Sequence, residues 1–290
     1  MFLGRRRPLE AQAVTEFVPL ELTGVWRREV ITTPHSPRDD TTQVMWIQTR
    51  SWYADIRVPA TRPSRPGAAG FSDFTAEELV GLAAVQGFAG QLAATPRVCA
   101  WRRDLDFQPP SPIPDEGTWQ VDGRVMIERG VHVEYEEVWV REPDTQGPLL
   151  AFALEHNSAV PGRKGLMMIA GDHFLAILDR PHPLPAGEDL PAIVRAELAS
   201  GGPMAAAGRL AMPLCYGRLS EGATPWEVKL SSWPWLEGQG FWGPRRPVFD
   251  PQAGVLGWNA AETEQSWKLL DSSVPPAEAA GRLKLPQATG

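Results

Sequence analysis

Apolar and polar residues alternate with period two through most of the first half of the chain, in runs too short for anything but strands. The clearest is RSWYADIRVP, residues 50–59. Trp52, Ala54, Ile56 and Val58 fall on one side of an extended chain; Tyr53, Asp55 and Arg57 fall on the other. Similar runs are LELTGVWRREVITT (20–33), TTQVMWIQT (41–49), RVCAWRRDLDF (97–107), GTWQV (117–121), RVMIERG (124–130) and VHVEYEEVWVR (131–141). Turn signals such as Asp122-Gly123 separate them. One helix is expected in FTAEELVGLAAVQGFAGQL (74–92), with Thr75 and Glu78 as a capping box and Leu79, Leu82, Val85 and Phe88 as its apolar stripe. Regularly alternating βα units are absent, which excludes a parallel sheet and leaves a small antiparallel barrel or sandwich.

The second half repeats this order. FLAILDRPHPLP (174–185) lies against YADIRVPATRP (53–63), each a strand with an Arg/Pro-rich exit that leads into a helix. The second helix is DLPAIVRAELAS (189–200), capped by Asp189 with a proline in its first turn. RLAMPLCYGRL (209–219) then stands in the place of RVCAWRRDLDF, and ETEQSW (262–267) matches EYEEVW (134–139) at Glu, Glu and Trp. The expectation is a tandem duplication: an N-terminal arm (1–16), one barrel (17–143), a second barrel (144–270) and a C-terminal tail (271–290).

The opening LTGVWRRE (22–29) carries Gly24 and Trp26 in the Gly-x-Trp spacing that starts lipocalin and calycin barrels. With the repeated layout, the whole chain resembles the Hri family, two-domain proteins of fungi and bacteria built from tandem lipocalin-like barrels. The resemblance implies an all-β fold with one helix per half, arranged as two tandem antiparallel lipocalin/calycin-like barrels. It also implies that Trp26 plugs the closed end of the first barrel. It transfers no catalytic residue. The second half begins LLAFALE, without a Gly-x-Trp at its start, which leaves its role as a ligand site open.

In a barrel, alternate residues line the lumen. Either the Tyr53/Asp55/Arg57 face or the Trp52/Ala54/Ile56/Val58 face therefore points inward, and the sequence leaves that choice open. If the polar face is inside, Trp46, Trp101 and Trp139 supply walls, and Tyr53, Arg57 and Gln48 supply polar contacts for a small apolar or amphipathic organic ligand. Trp101, Arg103, Leu105 and Phe107 share one face of the next strand; Tyr135, Glu137 and Trp139 share one face of another. Glu134 and Glu137 are candidate catalytic carboxylates for a cofactor-free lyase or isomerase acting with Tyr53 or Arg57. A scaffold whose barrels are filled by their own tryptophans, twelve in all, is the third alternative.

Other functions find little support. A formal net charge of −7, with no basic run beyond GRRRP at residues 4–8, argues against nucleic acid. None of the five histidines has a carboxylate or cysteine at metal spacing, so no metal, haem or other cofactor is expected; His173, after a Gly-Asp turn, should be exposed. No nucleophile elbow, phosphate loop or dinucleotide fingerprint occurs. The apolar runs are too short for a membrane span. Cys99 and Cys215, far apart, suggest reduced buried thiols and a cytoplasmic setting.

Overall fold

The computed structural model describes residues 17–36, 38–185, 188–220, 224–243, 246–260 and 263–285. The expected arm (1–16) and the last residues of the tail lie outside them. Eight antiparallel strands close into a first barrel: β1 (Gly24–Thr32), β2 (Gln43–Gln48), β3 (Trp52–Val58), β4 (Gln86–Ala94), β5 (Val98–Asp106), β6 (Glu116–Asp122), β7 (Val125–Gly130) and β8 (Glu136–Arg141). Each pairs with its sequence neighbour, and β8 returns to β1.

The second half supplies β9 (Leu149–Asn157), β10 (Gly165–Ala170), β11 (His173–Leu178), β12 (Leu214–Arg218), β13 (Glu227–Ser231), β14 (Val248–Asp250), β15 (Val255–Ala260) and β16 (Thr263–Ser272). They form an eight-stranded antiparallel sheet in the order β13-β12-β11-β10-β9-β16-β15-β14. The last strand returns to the first here too, β16 beside β9 as β8 is beside β1. Among the described residues no ladder joins β13 to β14. The matching seam of the first barrel, β5 to β6, spans only Val98–Ala100 opposite Glu116–Thr118.

Helices leave from the same place in each half. α1 (Ala76–Leu82) lies between β3 and β4; α2 (Leu190–Ser200) and α3 (Gly202–Arg209) lie between β11 and β12; α4 (Pro276–Arg282) follows β16. Thr75 and Glu78 cap α1 reciprocally, and Asp189 accepts the Ala192 N–H at 2.7 Å to start α2. The helix expected over 74–92 stops at Leu82, because Gln86–Ala94 is β4. Its stripe residue Phe88 is a lumen side chain opposite Asp55. Gly87 explains the strand: a Cβ there would stand 2.0 Å from Leu214 Cδ2 and 2.7 Å from the Asp55 carbonyl, so only glycine lets β4 pass between β3 and the second sheet. By topology β12 occupies the place of β4, one strand earlier than its sequence match to β5 indicated.

Among the described residues three apolar clusters hold the molecule together. One fills the base of the first barrel with Trp26, Trp46, Trp139, Leu92, Cys99 and Met126. A second fills the face of the other sheet turned away from the first barrel with Phe152, Phe174, Trp226, Trp242 and Trp267, and α4 adds Ala279 and Ala280 to it. The third lies between the halves: Ile47, Ala54, Ile56 and Ala89 meet Ala151, Met168, Leu175, Ile177 and Leu214. This answers the question of faces. Ala54 and Ile56 pack outward against the neighbouring sheet, so Tyr53, Asp55 and Arg57 turn into the barrel. Phe71 closes the edge of this interface against Trp233 and Trp235, with ring centroids at 5.5 and 4.8 Å.

Candidate functional site

Gly24 and Trp26 set the closed end. Gly24 has φ +115, and Thr145 Oγ1 lies 2.9 Å from where a Cβ would be, so a side chain is excluded twice over. Trp26 is fully buried; its Nε1 donates to the Leu22 carbonyl at 2.8 Å, and the Arg141 guanidinium covers its ring at 4.4 Å. Trp46 stacks on Trp26 (6.3 Å, 24°) and meets Trp139 and Trp101 edge-on at 5.7 and 6.1 Å. These rings form a floor.

Above the floor is an open cavity of about 720 Å³. Trp46, Trp101, Trp139 and Phe88 supply its aromatic surface; Asp55, Arg57, Arg103, Asp106, Asp115, Glu128, Tyr135 and Glu137 supply its polar wall. The rim is shared. Asp179 and Arg180, from the segment after β11, stand at the mouth, where Arg180 donates to the carbonyls of Asp106 (3.2 Å) and Phe107 (2.6 Å). Burial lowers the Arg180 pKa to about 10.

Three arginines and their acids form the wall. Arg28 binds Glu137 at 2.7 Å and Asp39 at 3.4 Å. Arg57 binds Asp55 at 3.0 Å and Glu137 at 3.3 Å. Arg103 binds Asp106 at 2.9 Å and Asp115 at 2.6 Å, and lies 3.6 Å above the Phe88 ring. Burial opposes charge on Arg57, but Asp55 and Glu137 outweigh it and hold its pKa well above normal. Burial raises the Asp55 and Asp106 carboxyls against the pull of Arg57 and Arg103 respectively.

Glu128 differs from the rest. It sits opposite Glu137 in the β7–β8 ladder, and its carboxylate accepts the Tyr135 hydroxyl at 2.7 Å. Burial, then the Glu137 charge, raises its pKa to about 8. Burial and Glu128 push Tyr135 far above its ordinary range. A carboxyl that titrates near neutrality at the wall of an open cavity can give or take a proton.

Of the residues expected at a site, Trp46, Trp101, Trp139, Arg57 and Glu137 line the cavity. Gln48 does not: two positions nearer the closed end than Trp46, it spends its amide on the Thr49 and Trp52 carbonyls at 3.1 and 3.2 Å. Tyr53 points inward but is fully buried beneath the cavity, edge-on to Phe88 at 6.0 Å. Glu134 is exposed and lies off the lining. Glu128 is the residue the sequence reading missed. Its signal was the alternation of RVMIERG, which places Met126 and Glu128 on one face.

A bulge corrected another expectation. Asp104 is an extra residue in β5, because Ala89 pairs with Leu105 and Gly90 with Arg103. Trp101 and Arg103 therefore face the lumen, whereas Leu105 and Phe107 join the core between the halves. His173, expected to be exposed, is buried. Its Nε2 meets Arg218 Nη1 at 2.6 Å, which can only donate, so Nδ1 carries the proton and faces the Tyr216 hydroxyl at 2.6 Å. Burial, then Arg218, lowers its pKa to about 4.

The geometry defines an antiparallel β-barrel with an open, mixed aromatic and charged lumen, set against a second eight-stranded sheet. No family model matches the sequence, and neither does any curated protein. The chain is similar in fold to a crystal structure of uncharacterized protein YLR301w from Saccharomyces cerevisiae. That likeness has a TM-score of 0.52 and 12% identity, and covers 87% of this chain and 99% of the yeast one. No helix among the described residues is long and apolar enough to cross a membrane.

Proposed function

We propose that the first barrel binds a small amphipathic organic molecule in its lumen. The observation that carries this reading is the open volume of about 720 Å³ between a tryptophan floor and a charged wall. Small-molecule sites commonly occupy about 300–1,000 Å³, with flat apolar surface for affinity and a few polar groups for orientation. Trp46, Trp101 and Trp139 are the apolar contacts and Arg57 with its acids the polar edge, while Tyr53 and Gln48 support the floor from below. Native mass spectrometry of protein purified from its own host tests this. A retained small molecule, lost on Trp101→Ala, is the expected result; bare protein under conditions that preserve the fold counts against it.

A second reading is favoured by Glu128 alone. Its carboxyl, raised to about 8 and bonded to Tyr135, suits a cofactor-free lyase or isomerase in which Glu128 moves the proton. The scaffold alternative is weakened by the open volume. The shared strand order supports a tandem duplication, with units near 17–143 and 144–270 and with α4 belonging to the second. Both cysteines are free and buried, which suits a reducing compartment.

A further inference from the structure

The cavity lining is more acidic than its own arginines can neutralise. Among the described residues seven carboxylates line it against four guanidiniums, and Arg28 adds a fifth from behind Glu137. The inner arginines Arg28, Arg57 and Arg103 are each already held by two carboxylates. An anionic ligand reaching them would have to break one of those pairs, while Arg102 and Arg180 nearer the rim are engaged by Gln91 and by the Asp106 and Phe107 carbonyls.

Glu128 is the reverse case. It is 5% exposed and makes no ion pair among the described residues; Tyr135 is its hydrogen-bond partner. Gly117 on β6 makes the room for it. A Cβ there would stand 3.2 Å from Glu128 Oε1 and 3.2 Å from Trp101 Cζ3, so carboxyl and indole both border the space over that glycine. Trp101 is the partly exposed member of the floor, whereas Arg103 covers the face of Phe88.

We propose that this cavity selects an organic cation, an alkylated ammonium seated between the face of Trp101 and the carboxyl of Glu128. The inference rests on reading the lumen as a ligand site and names the class of ligand. A diffuse ammonium is drawn to an indole face and gains further from an unpaired carboxylate. Among the described residues no three His, Cys, Asp or Glu side chains converge as metal ligands would, so the acids form a wall rather than a cage.

Binding is then linked to a proton. Acting on Glu128 are Glu137 and Tyr135 from β8 and the segment before it, Arg57 from β3 and Asp115 before β6, with the Cys99 thiol of β5 nearby. Asp55 and Arg103 line the same cavity, and Arg28 on β1 reaches Glu137 from behind. With these neighbours its pKa is about 8, so at neutral pH most molecules carry the proton. An arriving cation favours the carboxylate and expels that proton. Affinity should rise by up to about tenfold per pH unit below about 8 and level off above it.

Three probes of matched shape test the proposal on the full chain: choline, its neutral carbon isostere 3,3-dimethylbutan-1-ol, and the anion 3,3-dimethylbutanoate. Binding is followed by tryptophan fluorescence and calorimetry from pH 6 to 9. Choline should bind at least about tenfold tighter than the alcohol, and the anion weakest. Glu128→Gln should abolish the pH dependence for choline. Trp101→Leu should weaken choline about tenfold while keeping that dependence. Equal binding of alcohol and choline, or a preference for the anion, overturns the cation but leaves the lumen as a ligand site. Failure of all three to bind overturns the cation as well, and the retained-ligand measurement then decides the lumen separately.

Discussion

The two halves share a strand order and differ in what they enclose. The first barrel surrounds acids, arginines and open space. The second sheet packs Phe152, Phe174, Trp226, Trp242, Trp267 and α4 on its face turned away from the first barrel, leaving a pocket of about 200 Å³ lined by Trp233, Phe241, Trp242 and Trp258. Trp226 Nε1 is even satisfied by the carbonyl of Leu283, just past α4, at 3.1 Å. One topology thus carries a wet lumen and a dry core. The difference lies at particular inward positions: β8 presents Glu137 and Trp139, whereas β16 presents the buried Trp267. A fold of this kind fixes where side chains point, and the residue types at those points decide whether the interior binds or merely packs.

Four measurements would break or sharpen that contrast. The largest effect belongs to Glu128. Its pKa is about 8 in the folded chain against an ordinary value of 4.5, so the native state holds an extra proton between those values and stability falls as pH rises through them. The loss is complete above about pH 8; Glu128→Gln should remove this slope in urea unfolding at stepped pH. Equal slopes for the two proteins would mean the acid is solvated and the lumen no different from a surface.

Next is Trp267→Ala, which should cost about 3–5 kcal/mol because the filled second core cannot collapse around the hole. Trp101→Ala, beside volume that is already open, should cost less than half as much. Comparable losses would erase the distinction between lumen and core.

His173 gives an effect of opposite sign. Its pKa is about 4 when folded against 6.5 ordinarily, so the unfolded chain binds the extra proton between those values. Stability should fall by about 3 kcal/mol as pH drops from 6.5 towards 4, a loss that His173→Asn should not show. The smallest effect is expected at Arg129–Glu136 on the outer wall of the first barrel, an exposed pair at 2.6 Å. A double-mutant cycle there should return under about 1 kcal/mol.

The sequence exposed some of this architecture and hid the rest, for physical reasons. Alternation in β3 revealed two unlike faces because strand geometry forces it, but not which was inside, since the apolar face is buried by a neighbouring sheet rather than by the barrel. β4 was misread as helix because Leu82, Val85 and Phe88 keep a helical spacing across a real boundary, and only the close approach of Leu214 reveals why Gly87 is there. The bulge at Asp104 leaves no composition signal, yet it reverses the faces of half a strand. Glu128 was passed over because its importance comes from the opposing Glu137, a neighbour fixed by register rather than by sequence proximity.

The wall between the halves has a consequence for how this protein can change over time. β3 shows Asp55 and Arg57 to the lumen and Ala54 and Ile56 to the other sheet, so neither side is free to drift alone. A substitution at Met168 or Leu214 that nudges this strand would move the guanidinium of Arg57 without touching the cavity. The dry half is then a mould for the wet one. Its sequence should vary in step with the residues of β3, and the lumen's chemistry could be retuned from residues that never line it.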